Sequence, residues 1–144
     1  MKNLYRPLIL PGITIPGNLF LAPMAGYTDR AFREICLLRG ADLTFTEMIS
    51  CEGLSRDNKK TLALLDRGEE ERFWGIQIFG SEVDCLKRAV EKVLPFKPTL
   101  LDLNCGCPVP KVTNTGAGAS LMKDPEKIHR LVETLVRAVE DSGT

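Results

Sequence analysis

The sequence predicts an α/β fold built on a parallel sheet. Short apolar runs typical of strands alternate four times with segments of helical apolar spacing, a pattern that indicates parallel strands joined by helical crossovers. The 144 residues are 44% hydrophobic and 26% charged, which supplies enough apolar surface to bury a core. No run approaches the roughly 18 apolar residues that a membrane helix needs, so we expect a cytoplasmic protein with no membrane partner.

The predicted elements follow one another along the chain. Two extended pieces separated by Pro11-Gly12 form an N-terminal hairpin or lid, and strands then alternate with helices. In chain order they are the extended pieces 8–10 and 13–15, strand 19–23, a helix capped by Thr28 or Asp29 and ending at Gly40, strand 43–48, helix 55–65, strand 74–79, helix 82–93, strand 99–103 and a helix from 125. Ser81 and Asp84 predict a capping box for the third helix, and Asp124-Pro125-Glu126 is a strong start for the fourth.

The spacing of the strand ends narrows the fold to the N-terminal half of a (β/α)8 barrel of the TIM type. Pro23, Glu47, Gln77 and Asn104 follow one another at intervals of 24, 30 and 27 positions, close to the roughly 30 residues of one strand–helix unit. A complete barrel takes about 250 residues, so four units after a hairpin leader account for this chain. The alternative is an open doubly wound sheet. Residues 22–26, which read Ala-Pro-Met-Ala-Gly where a glycine-rich nucleotide loop would stand, weigh against it.

Charge and cysteine content limit the functional classes. The 19 basic and 19 acidic side chains give zero net charge, which argues against a generally basic nucleic-acid-binding surface but leaves room for a local basic patch. The five cysteines are an odd number in apolar or helical contexts, so we expect reduced thiols rather than a disulfide framework.

Polar or small residues stand at the ends of the first three strands. The small residues of 22–26 allow a flat ligand to approach the backbone, although a tight turn explains them equally well. Gln77 lies within an apolar strand, where its amide needs partners: either the edge of a heterocycle or backbone groups inside a barrel. Glu47 poses the same question for a carboxylate, with a backbone amide or a cation as the structural alternative.

The end of the fourth strand carries the strongest local signal. Cys107 lies between a glycine and a proline, a restricted setting that suits an accessible acid or nucleophile. Cys105 and Cys107 have no second Cys or His pair at ligand spacing, and His129 lies on a later helix, so we expect no metal site. Because no histidine base is near, a proton-donating thiol fits better than a nucleophile. A small buried side chain is the remaining interpretation.

Together these motifs resemble the signature of the tRNA-dihydrouridine synthases, and the resemblance covers essentially the whole chain. The matching segments are 22–29, 46–48, Gln77, the run Asn104-Cys105-Gly106-Cys107-Pro108, Val112 and Gly118-Ala119. The family fold that this resemblance implies is an FMN-binding (β/α)8 barrel followed by a small helical domain.

The resemblance also implies roles, residue by residue. Pro23, Met24 and Ala25 match the segment beside the flavin, Gln77 matches the ligand of the isoalloxazine edge, Asn104 matches the residue that faces flavin and target base, and Cys107 matches the catalytic acid. The implied reaction reduces the C5–C6 double bond of uridine in tRNA. NADPH or NADH reduces FMN, the flavin delivers hydride to C6, and Cys107 protonates C5.

On this resemblance, residues 1–144 are the N-terminal part of the catalytic barrel, and the C-terminal half-barrel and the helical tRNA-binding domain are absent. Half a barrel leaves unpaired sheet edges and exposed apolar surface, so we expect it to need the missing half or self-association. Two alternatives stay open. One is a related FMN barrel oxidoreductase, such as a dihydroorotate dehydrogenase or an enoate reductase. The other is a non-catalytic half-barrel that acts as a binding or assembly module.

Overall fold

The computed structural model of the chain describes residues 4–140 and 142–144. The strands are β1 (Leu8–Leu10), β2 (Ile13–Ile15), β3 (Thr44–Phe45), β4 (Ile49–Ser50), β5 (Trp74–Phe79) and β6 (Leu100–Leu103). The α-helices are α1 (Arg30–Leu38), α2 (Cys51–Ser55), α3 (Lys59–Leu62), α4 (Val83–Val93), α5 (Pro110–Thr113) and α6 (Pro125–Val139). Three 3-10 turns lie at Ala63–Leu65, Leu94–Phe96 and Gly118–Lys123. No helix in the described residues is long and apolar enough to cross a membrane.

A parallel sheet centred on β5 forms the framework, as the sequence predicts. β3 and β4 pair with the two ends of β5 on one side, and β6 pairs with its middle on the other, where Gln77 lies opposite Asp102. Phe20 bridges to Leu43 in parallel, which continues the sheet beyond β3. If β3 and β4 are counted as one interrupted strand, neighbours in the sheet are also neighbours in the chain, as in consecutive units of a barrel. The described strands lack the reversal of order that marks a doubly wound sheet.

The N-terminal hairpin is confirmed, and two of the predicted strands are shorter than expected. β1 and β2 pair antiparallel around Gly12, whose φ of 78° favours glycine. Of the predicted strand 19–23, only the bridge at Phe20 is paired as a strand. The predicted strand 43–48 is split into β3 and β4. At the break, the Thr46 hydroxyl accepts the backbone N–H of Gln77 at 3.2 Å, in place of a backbone carbonyl.

The predicted single helix 55–65 is wrong. α2 begins earlier, because the Ser50 side chain accepts the N–H of Gly53 at 3.1 Å and caps it. The chain then leaves the helical conformation at Asp57, whose φ of 51° lies in the left-handed region. Asn58 starts α3 by accepting the N–H groups of the two residues that follow Lys59. Two caps and one left-handed residue therefore divide the segment.

The caps of the longer helices agree with the sequence in two of three cases. Asp29 accepts the N–H of Phe32 at 2.9 Å, and Asp124 accepts the N–H of Lys127 at 2.9 Å, so both predicted caps are confirmed. The capping box at the start of α4 is wrong, because Ser81 donates its hydroxyl to the Thr115 carbonyl at 2.6 Å instead.

The core lies on one face of the sheet, between the strands and the helices α2, α4 and α6. Trp74, Ile76 and Ile78 alternate along β5 and are fully buried against those helices. Gln77 therefore points to the opposite face, since successive side chains of a strand alternate. On that face Phe45 covers Gly75, where an added Cβ would collide with the phenyl ring. The helices thus cover one face of the sheet, and the polar side chains of the site lie on the opposite face.

Candidate functional site

Four polar residues form a continuous hydrogen-bonded relay on the sheet face opposite the core. Gln77 Nε2 donates to Asp102 Oδ2 at 2.5 Å, and Gln77 Oε1 accepts from Asn104 Nδ2 at 2.9 Å. Asn104 Oδ1 in turn accepts the backbone N–H of Cys107 at 3.0 Å. The relay therefore runs from the carboxylate of Asp102 through two carboxamides to the backbone of Cys107.

The strands dictate this arrangement. The register places Asp102 of β6 beside Gln77 of β5, so both side chains emerge on one face at adjacent positions. Just after β6, the Asn104 N–H donates to the Ile78 carbonyl at 2.9 Å, which holds the first loop residue against β5. The sequence-predicted residues Gln77, Asn104 and Cys107 are thus brought together by the carboxyl ends of two neighbouring strands.

A second segment of the chain packs against the backbone of Cys107. The Ala119 N–H donates to the Cys107 carbonyl at 2.9 Å. Gly118, with a φ of +59°, passes so close that an added Cβ would lie 2.6 Å from that same carbonyl oxygen. Cys107 is half-buried, and Gly106 beside it faces open space. The thiol therefore sits on a fixed backbone with room next to it.

The loop after the first strand is tied to the segment between β3 and β4. The Met24 carbonyl accepts the N–H groups of Tyr27 and Thr28 at 3.0 Å, closing a turn that leaves Met24 and Ala25 exposed. The Gly26 N–H donates to a carboxylate oxygen of Glu47. Glu47 thus has the backbone partner that the sequence left as one alternative.

A buried ion pair lies beneath this loop. The Arg33 guanidinium donates to both oxygens of Glu71, at 2.6 and 2.9 Å, and also to the carbonyls of Thr28 and Asp66. Thr44 and the Gly68 N–H donate to the same carboxylate, each at 2.7 Å. Burial by itself raises the pKa of Glu71, but the hydrogen bonds from Arg33, Gly68 and Thr44 outweigh it and lower the pKa.

Three of the other cysteines lie where burial raises the pKa of the thiol. All five thiols are free. Burial raises the pKa of Cys51, and burial together with a hydrogen bond to Glu52 raises the pKa of Cys85. Burial, and then the nearby charge of Asp102, raises the pKa of Cys105. These three are therefore poor thiolates at neutral pH.

Metal ligands do not gather at this site. Within residues 4–140 and 142–144, no group of three or more His, Cys, Asp or Glu side chains is placed to hold a metal ion. His129 lies on α6, the later helix in which the sequence places it, and is exposed. Asp102 is the site residue that sequence reasoning missed. The available signal was a carboxylate inside an apolar strand, two positions before Asn104.

Comparison with known proteins identifies the family that shares these motifs. Residues 20–144 match the family model described as dihydrouridine synthase. The chain belongs to the dihydrouridine synthase family. The match includes both the loop after the first strand and the relay on β5 and β6. It confirms the resemblance that the sequence motifs carry.

Individual members of the dihydrouridine synthase family resemble this chain over most of its length. A probable tRNA-dihydrouridine synthase of Treponema pallidum is 39% identical over 137 residues, which cover 94% of this chain and 40% of the relative. Another from Helicobacter pylori is 42% identical over 118 residues, covering 81% and 36%. The tRNA-dihydrouridine synthase B of Pseudomonas aeruginosa is 37% identical over 128 residues, covering 88% and 38%. The chain thus spans about two fifths of the length of these relatives.

Proposed function

We propose that this chain carries the flavin-edge residues and the proton donor of an FMN-dependent tRNA-dihydrouridine synthase. The observation that supports the proposal most directly is the relay, which joins Gln77 and Asn104 to the backbone of Cys107. Family membership favours uridine in tRNA as the substrate, over the free small molecules that a dihydroorotate dehydrogenase or an enoate reductase reduces.

The residues present suit a flat heterocycle such as FMN. After their bonds within the relay, Gln77 and Asn104 each keep one amide hydrogen and one oxygen lone pair, which can pair with the polar edge of an isoalloxazine. Pro23, Met24 and Ala25 form a turn of small or flexible side chains whose backbone allows close approach. We assign these five residues to flavin binding.

The chemistry assigned to Cys107 is proton donation. FMN, once reduced by NADPH or NADH, supplies the hydride that adds to C6 of uridine. Hydride addition leaves negative charge on C5 and O4, and the Cys107 thiol neutralises it by giving its proton to C5. Correctly placed proton donors accelerate such steps by about 10²–10⁴-fold. The relay contributes by fixing the Cys107 backbone, so that the thiol meets the base from one direction.

The target uridine must leave the stacked tRNA to reach a site at the ends of strands. Such extrusion costs a few kcal/mol and is repaid by contacts to the flipped base. An exposed loop at residues 24–27 and the open space at Gly106 leave the face around Cys107 approachable.

The rest of the enzyme stays a prediction. β6 is an edge of the described sheet, and an apolar groove of about 370 Å³ runs between it and α6, lined by Leu101, Leu103, Val132 and Val136 among others. An unpaired edge and an apolar groove favour a further strand and helix there, from a second half-barrel or from self-association. We place the protein in the cytoplasm, where tRNA is modified.

The test is formation of dihydrouridine by the purified protein. An unmodified tRNA transcript is incubated with protein, FMN and NADPH, and dihydrouridine is measured by mass spectrometry of nucleosides. We expect Cys107→Ala to lose at least about 10²-fold in rate, whereas the matched control Cys105→Ala, two residues away, retains most of it. Equal activity of both variants contradicts the acid role. A wild-type protein that neither retains FMN nor forms dihydrouridine supports the non-catalytic module instead.

A further inference from the structure

Asp102 is the one member of the relay to which neither the sequence motifs nor the family resemblance assigns a role. It lies on β6, half-buried, and accepts a hydrogen bond from Gln77 Nε2 at 2.5 Å. A carboxylate in an otherwise apolar strand costs free energy unless it is solvated or bonded. Its position opposite Gln77 in the register therefore calls for a functional reason.

The donor and acceptor pattern of the relay runs in one direction only. An ionised carboxylate can only accept, so Gln77 must present Nε2 to Asp102 and its oxygen to Asn104. A backbone N–H can only donate, so Asn104 must present its oxygen to Cys107 and Nδ2 to Gln77. Both ends thus specify the same orientation of the two carboxamides. Without Asp102, the orientation of the Gln77 amide depends on the single bond from Asn104, and Nε2 loses the acceptor that it has on β6.

We propose that Asp102 is a positioning residue, which holds the Gln77 carboxamide with its nitrogen toward β6 and its oxygen toward Asn104, and thereby fixes which polar atoms the site offers to FMN. This inference rests on the proposed function for its ligand, although the orientation itself concerns this chain alone. The Thr46 hydroxyl, which accepts the Gln77 backbone N–H at 3.2 Å, fixes the main chain at the same residue. Gln77 is therefore restrained at both its backbone and its side chain.

The first experiment needs no flavin. Side-chain amide signals are recorded by ¹H–¹⁵N NMR on the ligand-free protein, with the Gln77 pair assigned by its loss in Gln77→Leu. In the wild type, one Nε2 proton should lie well downfield of the other because it is bonded to a carboxylate. Asp102→Leu should abolish that separation, whereas Asp102→Asn, which keeps an acceptor oxygen of the same shape, should retain part of it. An unchanged Gln77 pair in Asp102→Leu overturns the proposal.

The second experiment measures FMN affinity and the position of the visible flavin band. We expect Asp102→Leu to raise the dissociation constant roughly tenfold and shift the band, and Asp102→Asn to stay within about threefold of wild type. A merely structural side chain predicts the reverse order, because leucine fills a half-buried position at least as well as asparagine. If Asp102→Asn binds FMN as weakly as Asp102→Leu, the acceptor role of Asp102 is contradicted.

A double variant keeps the proposal testable if Asp102→Leu fails to fold. Gln77→Glu alone places a second carboxylate beside Asp102, and we expect the repulsion between them to destabilise the folded protein. Adding Asp102→Asn moves the carboxylate from β6 to β5, where it still accepts from Asn104, so the double variant should regain at least about tenfold in folding equilibrium constant over Gln77→Glu. No recovery counts against the relay. If the wild type shows the downfield Gln77 proton and binds no FMN, the proposed function fails while the orientation by Asp102 stands.

Discussion

Replacing Arg33 by methionine tests the ion pair that supports the loop at Pro23–Thr28. The Arg33 side chain is 2% exposed and that of Glu71 is fully buried, and the guanidinium makes two bonds to the carboxylate and two to backbone carbonyls. Methionine fills the same space as the arginine stem but leaves Glu71 buried without its cation. Removing one partner of a buried pair costs about 3–5 kcal/mol, a large share of the roughly 5–15 kcal/mol by which domains are stable.

The assay is urea-induced unfolding followed by circular dichroism, and α1 offers its own control. Arg30 pairs with Glu34 at 2.8 Å, but its side chain is 42% exposed, so Arg30→Met should cost far less than Arg33→Met. Arg33→Met/Glu71→Met, which removes both charges, should recover much of the loss. Unfolding free energies that fall equally in Arg30→Met and Arg33→Met refute the reasoning, because the buried pair would then be worth no more than the surface pair.

Three further predictions follow from the same structure. Gly118→Ala should lower the free energy of unfolding by about 2–4 kcal/mol, because an alanine there is both left-handed and in collision with the Cys107 carbonyl. The control Gly116→Ala is also left-handed, at φ +78°, but its nearest neighbour is 3.5 Å away, so it should lower the free energy of unfolding clearly less in the same denaturation assay. The lowered pKa of Glu71 predicts stability that is complete above the ordinary carboxyl pKa and is lost as pH falls through the folded value. Acid-induced unfolding should show this loss, and a Glu71→Gln variant with the same pH dependence argues against it. Asp124→Ala should cost about 1 kcal/mol by removing the cap of α6, and a change in melting temperature within error would contradict that cap.

The sequence predicts elements best where one local pattern decides them. β5 has the predicted bounds, and α4 begins one residue later than predicted. Both contain apolar residues at strand or helix spacing against a single core. The predicted strand 43–48 and the predicted helix 55–65 are both divided in the structure, for a common reason. In each, a side chain bonds to the backbone: Thr46 to Gln77, and Ser50 and Asn58 to the starts of two short helices. Such bonds compete with regular structure, and apolar periodicity does not detect them.

The sequence singles out three of the four relay residues, but neither Asp102 nor the bonds between the members could be predicted from it. Parallel strands bring their carboxyl ends to one edge, so residues at successive strand ends converge. That is how Gln77 and Asn104 meet. The bond between Gln77 and Asp102, by contrast, joins residues 25 positions apart and depends on the register of β5 with β6. The register is set by the whole core, so no local motif reveals it. The roles of Pro23, Met24 and Ala25 beside a flavin stay predictions.

The failed capping box shows how the region after Asn104 is held in place. Ser81 begins the turn from β5 into α4, and a local rule assigns its hydroxyl to the helix. In the structure that hydroxyl instead binds the Thr115 carbonyl, 34 positions along the chain. Thr115 directly precedes the segment whose Gly118 and Ala119 lie against the Cys107 backbone. The bond from Ser81, two residues after β5, and the bond from the Asn104 N–H to Ile78 of β5 therefore restrain the two segments that contact the Cys107 backbone. The proposed role of Cys107 as a proton donor calls for such restraint, because small misplacement of a reacting group costs a large factor in rate.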